Sequence, residues 1–193
     1  MTRAGIRRGT ARQAQLFDQL VALFLAAGFA HFTLDDIAAR LHCSKSTLYT
    51  LAESKDRLVR AATVHFFRGA TERVEAELDG HTGAADRIRA YLEAVGRQLE
   101  PASAQFMEDM AAAPTAREVY ERNTRLAAER VRDLIADGVA AGELRDVHAA
   151  FVADVVAAVM VRIQQRHVAE ATGLPDAQAY RELAALLTHG LTT

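Results

Sequence analysis

The chain has 193 residues, half of them apolar and only three of them proline, so it is long enough to bury a core of its own. Abundant alanine and little β-branched alternation point to helices and away from sheets. The formal charge of −2 is unevenly spread: residues 1–60 carry nine basic against five acidic side chains, a local +4, and the remainder is acidic at −6.

The one cysteine, Cys43, excludes an internal disulfide framework and suits a reducing compartment. Basic residues at the start (Arg3, Arg7, Arg8, Arg12) lead into no apolar signal segment. The apolar stretches Leu20–Phe29 and Ala149–Val161 are too short, or carry a charge such as Asp154, for a membrane span of about 20 residues. The expectation is a cytoplasmic protein with no membrane partner.

Along the chain, Leu16, Leu20, Leu23, Phe24 and Ala27 recur at helical spacing and predict a first helix from about Thr10 to Ala27, stopped by Gly28. Thr33 with Asp36 three residues on is an acidic capping box, opening a short second helix that ends near Leu41. Ser44 caps a third helix to about Thr50, with Leu48 facing inward. Ser54 caps a long fourth helix over 55–78, whose stripe Leu58, Ala62, Phe66, Ala70 and Val74 repeats every four residues. Helical patterns then cover about 84–100, 102–112 and 115–141, divided by Gly83, Pro101 and Pro114. Asp146 is expected to cap one helix as far as about Ala171, and a last helix runs near 177–191. The result is an all-α chain of about nine helices.

A helix-turn-helix requires a positioning helix, a tight turn and a second helix whose exposed side chains reach base edges in the major groove. Thr33–Tyr49 supplies these in order. With Leu48 inward, Lys45, Ser46, Thr47, Tyr49 and Thr50 form an outer face of donors and acceptors. Lys45 is the base-reading candidate because an ammonium donates to guanine O6 and N7. Thr33, Thr47 and Tyr49 suit phosphate contacts, as does Lys55 in the first turn of the fourth helix, and Ser44 is a further DNA-binding candidate. Both lysines of the chain lie in this region.

The residues Ala27-Gly28-Phe29, Phe32-Thr33, Ile37-Ala38, Ser44, Thr47-Leu48-Tyr49 and Lys55-Asp56-Arg57-Leu58 resemble, without a gap, the N-terminal domain of the TetR family of bacterial repressors. Farther on, helix order and the turn Ala141-Gly142-Glu143-Leu144 are similar. The resemblance implies a helix-turn-helix DNA-binding domain at 1–54, joined by a long helix to a ligand-binding and dimerisation domain at 55–193. It further implies a homodimer that binds a palindromic site on double-stranded DNA and is released by a small-molecule effector. Two positions depart from the pattern. His42 stands where glycine is usual and is expected to adopt a left-handed or adjusted turn. Leu51-Ala52 replaces an aromatic pair, removing a phosphate contact and a wedge between the third and fourth helices; Arg3, Arg7 and Arg8 offer a basic arm in compensation.

Under that resemblance, Val155, Val159, Ile163, Tyr180, Leu183, Leu187 and Leu191 on the last helices are dimer-interface candidates; by themselves they read as intramolecular core. Phe66, Phe67, Phe106, Met107, Met110, Tyr120 and Met160 are candidates to line a pocket for a small, mostly apolar effector, although by themselves they read more readily as ordinary core. Glu108-Asp109 reads as surface charge. No Glu-x-x-His, His-Glu-x-x-His, phosphate-binding loop, nucleophile elbow or Cys-x-x-Cys is present, so the expectation is neither enzyme nor metal or cofactor protein. The alternative is a helical small-molecule sensor or binding protein whose DNA binding is weakened at Leu51-Ala52.

Overall fold

A computed structural model describes the backbone of residues 3–192 and the side chains of residues 11–192. Among the described residues every regular element is a helix: α1 Arg3–Ala27, α2 Leu34–Arg40, α3 Lys45–Tyr49, α4 Lys55–Leu78, α5 Ala84–Leu99, α6 Ala104–Ala112, α7 Pro114–Ala140, α8 Ala149–Gln164, α9 His167–Thr172 and α10 Asp176–Leu191. The side chains of Arg3, Arg7 and Arg8, and with them the expected basic arm, lie outside the described residues.

The count of ten, where about nine helices were expected, comes from one correction. The single helix expected over 147–171 is two, because Arg166 adopts the left-handed region (φ 65) between α8 and α9. Arg166 places its guanidinium 2.8 Å from the Asp176 carboxylate, which is 8% exposed, so a part-buried ion pair accompanies the break. Desolvation pushes the Asp176 carboxyl upward, and the Arg166 charge opposes that shift. His148 caps α8 in place of the expected Asp146, its ring accepting the Phe151 N–H at 3.2 Å.

Two compact units divide the chain: residues up to Arg68 with Ala102–Tyr120, and Gly69–Pro101 with residues from Glu121 onward. In the first, α1 to α3 bury Leu20, Phe24, Phe32, Ile37 and Leu48 to 4% exposure or less. Each such side chain stabilises the fold by about 1.5–3 kcal/mol. The α4 stripe completes this core through Leu58, Ala62 and Phe66. His65 of α4 stacks on Phe17 of α1 and lies 2.7 Å from the Asp18 carboxylate.

In the second unit α5 and α10 are closely packed. Gly96 permits this, because a Cβ there would fall 3.1 Å from the Ala177 carbonyl and from Tyr180 Cβ. Tyr180 is 1% exposed, and burial pushes its phenol upward. Gly83 gives α5 no side-chain cap, and the Glu143 carboxylate serves instead, accepting the Ala84 N–H at 2.6 Å. The turn that carries Glu143 is tight: Gly142 has φ +72, and the Gly138 carbonyl accepts from Glu143 and Leu144 at 2.9 and 3.2 Å.

Gly138 itself has no room for a side chain, since a Cβ would lie 2.4 Å from Ala84 Cβ and 2.7 Å from Leu144 Cδ1. Gly138→Val is expected to destabilise the protein by about 2 kcal/mol through overpacking, read as a lower urea midpoint at unchanged slope. An unaltered midpoint would show that the turn is less tightly packed than described.

Candidate nucleic-acid interface

The interface is built on three short connections, each closed by a specific hydrogen bond. α1 stops at Gly28, whose φ of +76 turns the chain out of the helix while its N–H still bonds the Phe24 carbonyl at 2.7 Å. The next two N–H groups therefore lack helical partners. Asp109 of α6 accepts both, with Oδ2 2.5 Å from the Phe29 nitrogen and 2.8 Å from that of Ala30. The other carboxylate oxygen accepts from Gln105 Nε2 at 2.8 Å. Lys55 Nζ donates to the Ala30 carbonyl at 2.7 Å.

Thr33 then caps α2. Its hydroxyl accepts the Asp36 N–H at 3.2 Å and donates to the Asp36 carboxylate at 2.6 Å, while the Thr33 N–H donates to the same oxygen. These bonds hold the Asp36 carboxyl below its usual pKa. α2 ends in a Schellman turn: the His42 N–H bonds the Ala39 carbonyl and the Cys43 N–H that of Ala38, with His42 at φ 50. The left-handed turn expected of His42 is present. Cys43 is half-buried, and desolvation pushes its thiol upward, away from the reactive thiolate. Ser44 caps α3 by accepting the Thr47 N–H at 3.2 Å.

With Leu48 buried at 1%, the outer face of α3 presents Lys45, Ser46, Tyr49 and Thr50 to solvent. Lys45 pairs with Asp35 of α2 at 3.0 Å, and that hydrogen bond raises its pKa and keeps it cationic. The pair is exposed, so it opens readily toward another anion. Thr33, Ser44 and Thr47 are occupied in capping, and Thr50 donates to the Thr47 carbonyl at 2.6 Å. Lys55, expected to reach outward to phosphate, is turned onto the Ala30 carbonyl.

Beside α3 lies an open cleft of about 580 Å³ rimmed by Arg12, Gln15 and Gln19 of α1 and by Ser46, Thr47 and Thr50. The three α1 residues were no part of the sequence-based site. Leu51 and Ala52, in place of the expected aromatic pair, line a second open cleft of about 430 Å³ with Arg57 and Arg60. Asp109 corrects the reading of Glu108-Asp109 as surface charge: Glu108 is exposed, but Asp109 is 4% exposed. A signal was available, since Asp109 shares a helix face with Phe106 and Met110; its backbone partners 80 residues away left none.

Of the effector candidates, Phe66, Phe67, Phe106, Met107, Met110 and Tyr120 lie in the first unit, each at 7% exposure or less. Ring contacts run Phe29–Phe106–Phe66–Phe67–Tyr120, with centroids 5.0–6.4 Å apart. Met160 is buried in the second unit. Of the dimer candidates, Ile163, Tyr180, Leu183 and Leu191 are buried at 6% or less inside their own chain, where they serve its core. Val159 and Leu187 are half-buried and Val155 is 42% exposed; Phe151 and Leu186, not among the candidates, are 66% and 72% exposed.

A short reader helix with a polar outer face, set on a capped positioning helix and a buried leucine, defines a helix-turn-helix DNA-binding regulator. Residues 16–62 match the family model described as bacterial regulatory proteins, tetR family. A TetR transcriptional regulator from Chloroflexus aurantiacus J-10-FL is 27% identical over 96% of this chain and 98% of its own, at a TM-score of 0.73. A TetR/AcrR family regulator from Thermobifida fusca YX-ER1 is 25% identical over 93% and 98%, at 0.67. A regulator from Saccharomonospora viridis in complex with choline shares the fold at 19% identity, over 96% and 99%, with a TM-score of 0.74. No curated protein matches at the level of sequence. Residues 16–62 are thus similar to the DNA-binding domain of the tetR family, and the whole chain shares its fold with TetR regulators.

His42 occupies a backbone position that glycine adopts without strain. His42→Gly is expected to stabilise the protein by about 1 kcal/mol and His42→Val to destabilise it, measured as urea midpoints. Equal midpoints for the two variants would overturn the assignment of strain to this turn.

Proposed function

We propose that this protein is a cytoplasmic repressor that binds a palindromic operator as a homodimer and is released by a small, mostly apolar effector. Residues 1–54 serve as the reader and 55–193 as the effector-binding and dimerisation part. The observation that carries the reading is the exposed face of α3, which presents Lys45, Ser46, Tyr49 and Thr50 to solvent. The local charge of +4 over residues 1–60 favours a polyanion, and binding rather than turnover is the proposed activity.

Apolar groups left in solvent support the proposed dimerisation. Phe151 and Val155 stand one turn apart on α8, and Leu186 projects from α10, which packs on α8. Exposed side chains of this size on adjoining helices mark an interface, and Val159 and Leu187 add half-buried area to it. Two reading helices about 34 Å apart in a symmetric pair would meet successive major grooves, one turn of DNA from each other. The effector is proposed to lodge at the ring-lined α4, α6 and α7 residues Phe66, Phe67, Phe106, Met107, Met110 and Tyr120; the choline held by the Saccharomonospora viridis protein supports a small-molecule role for this fold. A sensor with weakened DNA binding is the second reading, favoured by the open cleft at Leu51 and Ala52.

Binding of duplexes selected from a random pool distinguishes the two. The wild type is expected to bind with affinity that falls steeply with salt, and Lys45→Ala to lose about 1–3 kcal/mol. Identical, salt-insensitive binding by both proteins would overturn the repressor reading. Phe151→Asp with Leu186→Asp is expected to shift sedimentation from dimer to monomer at micromolar protein; a dimer that persists would move the interface elsewhere.

A further inference from the structure

We propose that Asp109 is a positioning residue for DNA reading: a buried carboxylate on α6, distant in sequence, fixes the α1–α2 connection and through it the setting of the reader helix. The inference rests on the reading of α3 as the DNA-contacting element. Between Gly28 and Thr33 the chain has left one helix and not begun the next, so its N–H groups need partners from elsewhere. Oδ2 of Asp109 supplies one acceptor to two of them, at 2.5 and 2.8 Å, and Gln105 holds the other oxygen. Charge-assisted bonds of this kind are about twice as strong as neutral ones.

The backbone is shaped for this contact. A Cβ at residue 28 would lie 2.6 Å from Oδ2 and 2.7 Å from Gln105 Cγ, so the chain passes as close to α6 as glycine permits. Lys55 holds the next peptide group through the Ala30 carbonyl, and the Ser103 N–H bonds the Leu25 carbonyl at 2.8 Å just before α6 begins. Two residues farther on, Phe32 is buried at 4% under the Arg40 guanidinium, and Thr33 opens α2. Movement of the clamped loop is therefore carried into α2, and α2 packs directly on α3. Asp109 itself touches no outward-facing reader side chain in this arrangement. Its effect is on where α3 sits, and it contributes no contact of its own to phosphate.

This distinguishes it from both a DNA contact and a general stabiliser. Asp109→Leu removes the acceptor at similar size, and Asp109→Asn leaves a neutral acceptor once Gln105 turns its amide over. Exposed Glu108→Gln controls for loss of one negative charge. Each variant is measured at a temperature where circular dichroism shows it folded, on a duplex selected by the wild type and on a scrambled duplex of equal length. Discrimination between the two duplexes is expected to fall about tenfold or more for Asp109→Leu, the equivalent of one poorly read base pair. A few-fold loss is expected for Asp109→Asn and none for Glu108→Gln, with the salt slope unchanged throughout. Faster amide exchange at Phe29, Ala30 and within α3 should accompany the loss.

Retained discrimination in Asp109→Leu, or equal loss on both duplexes, would overturn the proposal; if Asp109→Leu does not fold, Asp109→Asn decides by the same criteria. If the wild type itself fails to discriminate, the DNA-reading assignment fails, and the latch is then judged by exchange alone. Unchanged protection of α3 in the folded variants would overturn it.

Discussion

A helix of five residues has no stability of its own, because nucleation fixes several residues before the ladder of hydrogen bonds begins to repay the ordering. α3 is such a helix, and α2 has only seven residues. Their existence depends on closing the backbone groups at their ends and on one shared apolar contact. Ser44 and Thr33 satisfy N-terminal donors, the Schellman turn at His42 satisfies C-terminal carbonyls, and Leu48 and Ile37 bury fully in the core. Because the hydroxyls nearest the reader are spent on caps, the outer face is left to Lys45, Ser46 and Tyr49. Structure and recognition thus draw on neighbouring residues of one short segment.

Carboxylates also join segments at longer range, by accepting from backbone amides or from a guanidinium. Asp109 closes the connection after α1, Glu143 caps α5 where Gly83 has no side chain to offer, and Asp176 meets Arg166 where α8 gives way to α9. Each joins segments well separated in sequence or turned sharply between helices. A lone buried carboxylate would be costly, and each of these has donors within 3 Å. In an all-helical protein, with no sheet to absorb loop amides, acidic side chains take over that work.

The surface divides in parallel with the charge. The polar face of α3 and the net positive charge of residues 1–60 suit a polyanion, whereas Phe151, Val155 and Leu186 leave apolar area on α8 and α10. One chain thus carries both kinds of surface. The ring chain from Phe29 through Phe106 to Tyr120 lies within the same compact unit as the reader and is carried partly by α6, the helix that also holds the loop after α1.

Local chemistry was legible without coordinates. The capping box at Thr33 and Asp36, the cap at Ser44, the inward Leu48, the left-handed turn at His42 and the four-residue stripe of α4 are all set by residues within one or two turns of each other, where a sequence holds the whole interaction. The helix break at Arg166 was not legible, since its ion-pair partner lies beyond an intervening helix. The inward placement of Ile163, Tyr180, Leu183 and Leu191 is the reading their own pattern gave, whereas the resemblance had set them at an interface; periodicity gives a helix its apolar face but does not say whether that face meets its own chain or another. Asp109 is the clearest case. Composition marks it as a charge for the surface, and only the tertiary fold brings two unpaired amides from 80 residues away to within hydrogen-bonding distance, which makes its burial favourable.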